Sequence, residues 1–187
     1  MHVLAASRTR DKNAQSLAGG EGVMRELSSM GFDYIVCDSP AGIETDALLA
    51  MHFADQAIDN PEVSSAWDSE RILRSLDKTT ARALKSAAPV KTHLLITHYS
   101  PSRMTDGQML SIADIQDILK IELIGGVPES EEILAASNQG KSAIYLKDTA
   151  VAGAYMDEID RFLGSNVPLQ FIETPRNGFL KRFQGSR

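Results

Sequence analysis

The sequence predicts an α/β fold in which helices cover both faces of a mostly parallel sheet. Short apolar runs alternate with segments of helical periodicity about 10–15 residues long, which is the pattern of β-α-β units. The runs are apolar at successive positions, as is typical of strands buried on both faces. The length of 187 residues suits one such domain.

The first half of the chain contains weaker signals. Residues 2–6 resemble a strand, and a helix is expected to end near Met30, with Gly31 as its C-terminal cap. The glycines within 19–22 are expected to delay the start of that helix to about Glu21. The remaining elements are a short buried strand at Tyr34–Cys37, a helix at 43–53, a very short strand at 56–58, and a helix at 62–76 followed by a loop.

The second half carries stronger signals. The runs at 93–97 and 121–127 predict strands. Ser111 with Asp114 three residues later forms a capping box at the start of a helix. A short helix is expected at 133–138, and Thr149 can cap a long final helix. In that helix the predicted apolar stripe is Ala152, Tyr155, Met156, Ile159, Phe162 and Leu163, with Asp157, Glu158, Asp160 and Arg161 facing water.

Composition and charge exclude several classes of protein. With 19 basic and 25 acidic side chains the net charge is −6, which makes general nucleic-acid binding unfavourable. The single cysteine, Cys37, cannot form an internal disulfide, as expected in a reducing compartment. No apolar run approaches the ~20 residues that a membrane span needs. The charge is uneven, because from Glu173 onward four basic residues accompany one acidic residue.

The segment YIVCDSPAG at 34–42 is the first candidate for chemistry. A strand that ends in Asp38 would place a carboxylate at the carboxyl edge of the sheet, where α/β proteins bind ligands. Nucleotide-hydrolysing enzymes use such a carboxylate to hold a water of the magnesium shell. Asp-Ser-Pro is also good turn chemistry, so an ordinary turn with an aspartate cap stays open.

A phosphate-binding loop with its lysine is absent from the sequence. The pattern GxxxxGKS or GxxxxGKT needs a glycine five residues before the second one. Gly140-Lys141-Ser142 supplies the last three letters, but Ala135 stands at the position of the first glycine. The four histidines and Ser39 have no spacing typical of a hydrolase.

Five short strings, spread over nearly the whole chain, carry a family resemblance. They are SRTRDK at 7–12, FDYIVCDSPAGIET at 32–45, NPEVSS at 60–65, ASNQG at 136–140 and GFLKRF at 178–183. In their order they resemble the division-site-selecting ATPases of the ParA/MinD family of deviant P-loop ATPases. The resemblance implies a P-loop NTPase-like fold with ATP and magnesium as ligands. It also implies that the phosphate-loop segment would precede Met1, so the fold is expected to be incomplete at its N-terminus.

The resemblance implies roles for individual residues. Asp38 matches the magnesium-side aspartate, which acts through water, and Pro40, Ala41 and Gly42 match the second switch. Turns on the adenine side are matched by Ser100, Pro128 and Glu129. The face that meets MinC-like and MinE-like regulators is matched by Asp68 and Glu70. The membrane-targeting helix is matched by Phe179, Leu180, Lys181, Arg182 and Phe183.

The sequence departs from the family pattern at several positions. His98 and Ser100 stand where the family usually has arginine and asparagine, and Trp67 stands where the partner face usually has arginine. The apolar run before Asn60 and Pro61 is shorter than in the family.

The C-terminal residues have a membrane-binding pattern even without the resemblance. On a helix, Phe179, Leu180 and Phe183 fall within about 100°, with Lys181 and Arg182 on other sides. Apolar residues beside cations are typical of a helix in an anionic headgroup layer. The alternative is a terminus whose phenylalanines pack on the body. We expect a body at 1–172, a membrane-targeting tail at 173–187, and a cytoplasmic protein held peripherally at the inner face of the plasma membrane.

The leading hypothesis is a septum-site-determining protein of this family. Because phosphoryl transfer depends on the loop lysine and the metal, these residues alone are expected not to hydrolyse ATP. Exposed sheet edges would favour a homodimer or poor solubility. One alternative is a non-catalytic module that binds partners and membrane. Another is a ParA-like partitioning protein, which the acidic charge disfavours because it would have to bind DNA.

Overall fold

The computed structural model describes residues 17–39, 51–61, 90–146, 148–170 and 172. The chain divides into two compact units. The first comprises Met1–Asp55 and Arg74–Val90, and the second comprises Gln56–Leu73 and Lys91–Arg187. The predicted strand at 2–6, the helix at 62–76, most of the helix at 43–53 and the tail at 173–187 lie outside the described residues.

The first unit contains helix α1, Leu17–Ser29. The prediction that glycines delay its start to Glu21 is wrong. Glycine costs a helix about 1 kcal/mol relative to alanine, but helical φ and ψ remain accessible to it, so the helix continues through these positions. The Arg25 guanidinium lies 3.1 Å from the Glu21 carboxylate one turn away. Gly31, with φ +74°, ends the helix as predicted.

The predicted buried strand at Tyr34–Cys37 is wrong. Residues 34–39 have no regular secondary structure, and Tyr34 is 67% exposed and Val36 89% exposed. A parallel strand is buried only when neighbouring strands satisfy its backbone N–H and C=O groups. No described residue of this unit lies in a strand, so this apolar run has no strand to pair with among them.

The second unit is built on a parallel sheet, which confirms the predicted fold class. Its strands are β1 (Gln56–Asp59), β2 (Lys91–Tyr99) and β3 (Glu122–Pro128). They lie in the order β1-β2-β3, with β2 in the centre. Ile58 of β1 is opposite His93 of β2, and Leu94 is opposite Leu123 of β3. The strands predicted at 56–58, 93–97 and 121–127 are therefore present, and β2 extends beyond the predicted run at both ends.

Helices cover both faces of this sheet. On one face, Leu94 and Ile96 of β2 pack with residues of α3, Ile112–Leu119, of which Ile112 and Ile115 are almost fully buried. On the other face, Leu95 packs against a cluster formed by Val127, Val151 and Ala154. Because Leu94 and Leu95 are neighbours, they point to opposite faces, so each face has its own apolar core. Two further helices are α2, Pro101–Thr105, and α4, Glu131–Asn138.

Predicted helix caps are confirmed. The backbone N–H of Asp114 donates to Oγ of Ser111 over 3.1 Å, and the N–H of Ser111 donates back to Oδ2 of Asp114 over 3.4 Å. The N–H of Ala152 donates to Oγ1 of Thr149 over 3.2 Å at the start of α5, Ala150–Phe162. No helix in the described parts of the chain is long and apolar enough to cross a membrane.

The buried face of α5 differs from the predicted stripe. Its buried residues are Val151, Ala152, Ala154 and Glu158, whereas Met156, Ile159 and Leu163 are about half exposed. The prediction that Glu158 faces water is therefore wrong, and Asp157 and Arg161, whose side chains are 19% and 12% exposed, are also largely covered. Hydropathy alone predicts that a carboxylate faces solvent. The face of α5 that packs on the sheet also depends on the space above the strands, and β3 leaves space there because residues 125 and 126 are glycines.

Candidate functional site

Three parallel strands end side by side and place their turns at one edge of the sheet. Because β1, β2 and β3 run in the same direction, the residues that follow them share the carboxyl edge. Thr97 of β2 donates a hydrogen bond through Oγ1 to Oδ1 of Asn60 over 3.1 Å. The turn after β1 is therefore held to the end of β2.

The turns after β2 and β3 are joined by a backbone hydrogen bond. The N–H of Glu129 donates to the carbonyl of Tyr99 over 2.9 Å, and Tyr99 lies opposite Pro128 in the strand register. Ser100 is 8% exposed, and its Oγ lies 3.1 Å from Oγ of Ser102. The structure thus brings together Ser100, Pro128 and Glu129, the three residues predicted on the adenine side.

The exposed part of this edge carries opposite charges. Oε1 of Glu129 lies 4.0 Å from Nη1 of Arg103, and about half of each side chain is exposed. An exposed ion pair of this kind contributes at most about 1 kcal/mol, so either group can turn toward a ligand at little cost. His98, near the end of β2, is exposed and has φ +55°. The edge can therefore offer a carboxylate acceptor and a cation to a bound molecule.

The other predicted site residues lie elsewhere. Asp38 is exposed and belongs to the first unit. Outside the described residues are Pro40, Ala41 and Gly42 of the switch, Asp68 and Glu70 of the partner face, and the tail residues Phe179, Leu180, Lys181, Arg182 and Phe183. Their roles stay predictions.

The described side chains of the carboxyl edge offer hydrogen-bonding groups but no set of metal ligands. Within the described ranges, no group of three His, Cys, Asp or Glu side chains is placed to hold a metal. The Glu129 carboxylate is an acceptor that fits an exocyclic amine. A phosphate chain needs a cradle of backbone N–H groups with a lysine, and the sequence has no such loop of the GxxxxGKS or GxxxxGKT form.

A buried carboxyl group, unforeseen from the sequence, lies under β3. Glu158 is 4% exposed, and neither of its carboxyl oxygens has a hydrogen-bond partner. A Cβ at Gly125 would lie 2.1 Å from Cγ of Glu158, so the side chain occupies the space that the glycine leaves free. Burial raises the pKa of Glu158 to about 8, while Arg161 lowers it and Asp157 raises it. The two adjacent glycines inside the apolar strand β3 were the sequence signal for this burial, since a glycine in a strand often marks a place where another group approaches the backbone closely.

Arg161 ties the segment after α5 to the sheet. Its guanidinium donates to the carbonyl of Ile124 in β3 and to those of Val167 and Pro168 beyond the helix. Oδ2 of Asp157 lies 3.7 Å from Nη2 of Arg161. A cavity of about 10 Å³, roughly the size of one water, lies among residues that include Glu158, Arg161 and Leu169.

A second buried titratable group lies near the amino end of β2. His93 is 1% exposed, its Nε2 lies 3.0 Å from Oε1 of Gln56, and its Nδ1 lies 3.8 Å from a Glu122 carboxylate oxygen. Burial lowers the pKa of His93, Lys91 lowers it further, and Glu122 opposes them. His93 is therefore a neutral core residue at physiological pH.

Known proteins resemble the chain along its whole length. No family model matches it. Septum site-determining protein MinD of Escherichia coli is 48% identical over 187 residues, which are 99% of this chain and 69% of that protein. The chain belongs to the MinD family. The family resemblance seen in the sequence is thereby confirmed.

Solved MinD structures share the fold. The MinD chain matched in the MinC:MinD cell division protein complex of Aquifex aeolicus is 30% identical, with a TM-score of 0.68 over 84% of this chain and 63% of that chain. MinD of Pyrococcus horikoshii complexed with Mg-ADP is 22% identical, with a TM-score of 0.60 over 81% of this chain and 60% of that chain, which shows the fold alone. The chain thus spans less than two thirds of either solved protein.

Proposed function

We propose that the chain acts in septum-site determination, as a MinD-type protein. The observation that carries the proposal is its 48% identity, over 99% of its length, to septum site-determining protein MinD of Escherichia coli. A parallel sheet with its turns gathered at the carboxyl edge is consistent with that role, because such edges bind ligands in α/β proteins. In this proposal the chain acts in septum-site determination at the inner face of the plasma membrane. Residues 1–172 form the body and residues 173–187 form the membrane-targeting tail.

The ligand of the carboxyl edge is proposed to be an adenine nucleotide. Glu129 and the turn atoms of Ser100 and Pro128 would hold the base. For Asp38, which belongs to the first unit, we propose the magnesium-side role, through water, that the family resemblance implies. The related Pyrococcus horikoshii protein was solved with Mg-ADP, which supports nucleotide and magnesium as ligands of the family. When bound, the magnesium ion would supply charge neutralisation at the phosphates.

These 187 residues alone are expected to show no ATPase activity above background. Without a phosphate-loop lysine, the charge that develops on the transferred phosphoryl group has no positioned counter-charge, and most of the catalysis is lost. Phosphate release from the purified chain tests this expectation, and turnover above that of a no-protein blank would contradict it.

Calorimetry with Mg-ATP separates nucleotide binding from a purely non-catalytic partner-binding module. Micromolar affinity that falls with Glu129→Ala but not with Glu131→Ala, an exposed glutamate two residues on, supports the proposed edge. Absence of heat would favour the non-catalytic alternative.

The proposed partners are a MinC-like regulator, a MinE-like regulator, a second copy of the chain and an anionic membrane. A MinC:MinD complex is known for the Aquifex aeolicus relative, which supports the first of these. Asp68 and Glu70 are the proposed contact residues for the two regulators. DNA is not a proposed partner, because the net charge of −6 makes broad contact with a DNA backbone unfavourable.

Deleting residues 174–187 is expected to abolish binding to anionic vesicles. Basic residues near such a surface contribute about 1 kcal/mol each, and apolar side chains add to this, so one tail is a weak and reversible anchor. Vesicle pelleting of the full and shortened chains measures the difference. Phe179→Gln with Phe183→Gln keeps every cation and should still weaken binding, whereas equal pelleting of all three proteins would remove the membrane role.

A further inference from the structure

The segment after α5, residues 164–170, is held to the second unit through one side chain. Its residues are exposed except Val167, which is half-buried. The Arg161 guanidinium donates from Nε to the carbonyl of Val167 over 2.8 Å and from Nη2 to that of Pro168. Its Nη1 donates to the carbonyl of Ile124 in β3. In the parts of the chain that the structure describes, these are the hydrogen bonds that join residues 166–170 to the sheet and to α5.

Glu158 lies one turn before Arg161 on the same face of α5, because residues three apart are neighbours on a helix surface. No donor of the guanidinium reaches it, since neither of its carboxyl oxygens has a hydrogen-bond partner. Glu158 occupies the space beside Gly125, and with Arg161 and Gln170 it lines the cavity of about 10 Å³. An unpaired carboxylate buried here costs far more free energy than a neutral acid, so this arrangement requires that Glu158 carries its proton.

Ionisation of Glu158 creates a competing acceptor for the guanidinium. A carboxylate carries the charge opposite to that of arginine and accepts two parallel N–H bonds from it, whereas a backbone carbonyl is neutral. The cavity has room for about one water, which is too little to hydrate a carboxylate. Of the described residues that line the cavity, Arg161 is the one with a positive charge. The ionised Glu158 therefore has Arg161 as its available partner.

The other titratable groups of α5 near Glu158 are not cations. Asp157 is an acid, and its Oδ2 lies 3.7 Å from Nη2 of Arg161. Burial and Glu158 raise the pKa of Tyr155, so its phenol stays neutral at pH 9 and below. Asp157 therefore competes with Glu158 for the guanidinium and cannot replace it as a partner.

The charged groups of the elements packed against α5 do not line this cavity. Glu122 of β3 lies 3.6 Å from Lys91 of β2, and both side chains are exposed. His93 of β2 packs on Phe162, with ring centroids 5.3 Å apart, and its lowered pKa keeps it neutral. Lys141 lines a different cavity of the unit. The competition for Arg161 thus involves Glu158, Asp157 and the backbone carbonyls of the segment after α5.

We propose that Glu158 and Arg161 form a latch that the proton of Glu158 controls. While Glu158 is neutral, Arg161 holds Val167 and Pro168 to β3, and the latch is closed. When Glu158 releases its proton to solvent, its carboxylate binds the guanidinium, the two carbonyls lose their donor, and residues 164–170 are freed. Because burial raises the pKa of Glu158 to about 8, the latch opens as the pH rises through that value. The latch does not depend on the proposed function, since its groups are described residues of the second unit.

Spin-label mobility in the full chain tests the latch. A nitroxide on Asn166→Cys, with Cys37→Ser to remove the native thiol, reports on the segment after α5, and a nitroxide on Ser137→Cys of α4 is the matched control at an exposed position. The mobile fraction at position 166 should rise from about one tenth at pH 7 to about nine tenths at pH 9, as one group with a pKa of about 8 ionises. The spectrum at position 137 should not change. An unchanged spectrum at 166, or an equal rise at both positions, would overturn the proposal.

Substitutions in the labelled chain identify the two groups of the latch. Glu158→Gln has the shape of the neutral acid and does not titrate, so the label at position 166 should stay immobile at both pH values. Glu131→Gln, at an exposed carboxylate of α4, should follow the wild type. Arg161→Lys keeps the charge but loses the planar fork of donors, so the segment should be mobile already at pH 7.

Two results with these variants would contradict the latch. One is a pH-dependent rise in mobility that survives Glu158→Gln. The other is an Arg161→Lys chain, folded by circular dichroism, whose label is as immobile at pH 7 as that of the wild type. If Arg161→Lys does not fold, the comparison of Glu158→Gln with Glu131→Gln still decides whether the proton of Glu158 controls the segment.

Discussion

Glu158→Gln is expected to remove most of the stability loss that the chain undergoes between about pH 5 and pH 8. Burial raises the pKa of Glu158 from its ordinary 4.5 to about 8. Across this interval the folded chain keeps a proton that the unfolded chain has released, so the free energy of unfolding falls as the pH rises. The stabilisation is complete below about pH 4.5 and is lost progressively toward pH 8. At ~1.4 kcal/mol per pH unit, the loss is on the order of 3–5 kcal/mol.

The groups that face Glu158 do not produce this slope themselves. On α5, Arg161 lowers the pKa of Glu158 and Asp157 raises it. The pKa of Tyr155 is itself raised, by burial and by Glu158, so Tyr155 titrates above this pH interval. The neighbour of Glu158 on β3, Gly125, is uncharged, as is Gln170 in the following segment. His93 acts with the opposite sign, because a lowered histidine pKa gives stability that is lost as the pH falls below about 6.5.

Urea unfolding at pH 5, 6, 7 and 8 measures the effect. The wild-type midpoint should fall between about pH 6.5 and pH 8, where His93 no longer opposes Glu158. The Glu158→Gln midpoint should not fall there, because the amide has the shape of the protonated acid and does not titrate. Glu131→Gln, at an exposed carboxylate of α4, should keep the wild-type slope. A wild-type midpoint that does not change with pH, or a slope that survives Glu158→Gln, would show that Glu158 is not a buried neutral acid.

The helices and strands predicted correctly are those whose sequence pattern depends only on residues of the same element. The capping box at Ser111 and Asp114 involves residues three apart, and the apolar run at 93–97 needs only its own composition to indicate a strand. The juxtaposition of Ser100, Pro128 and Glu129 was also predictable, because parallel strands bring their carboxyl ends to one edge.

The predictions that failed depended on partners distant in the sequence. Tyr34–Cys37 has the composition of a buried strand, but its burial requires a strand beside it, and its own residues do not reveal whether one is present. Glu158 is buried because β3 has a glycine at 125, a match between positions on two different elements.

Ile115→Ala is expected to lower the free energy of unfolding by about 2–5 kcal/mol, through lost apolar contact and a residual cavity. Ile115 is 0% exposed and packs in the cluster that joins α3 to β2. Ile159→Ala is the matched control, because it makes the same change in a helix of the same unit at a side chain 43% exposed, and should cost under about 1 kcal/mol. Both variants gain the same helix propensity, so the difference between their urea-unfolding free energies isolates the burial term.

The Ile115→Ala variant should also loosen the carboxyl edge. Tyr99, 1% exposed, belongs to the same apolar cluster as Ile115, and its carbonyl accepts the Glu129 N–H. A cavity in the cluster that contains Tyr99 should lower the free energy of opening that hydrogen bond. The Glu129 amide should therefore exchange with deuterium faster in Ile115→Ala than in Ile159→Ala. Equal exchange in the two variants, despite the expected difference in stability, would mean that the turn at Glu129 opens independently of the core beneath it.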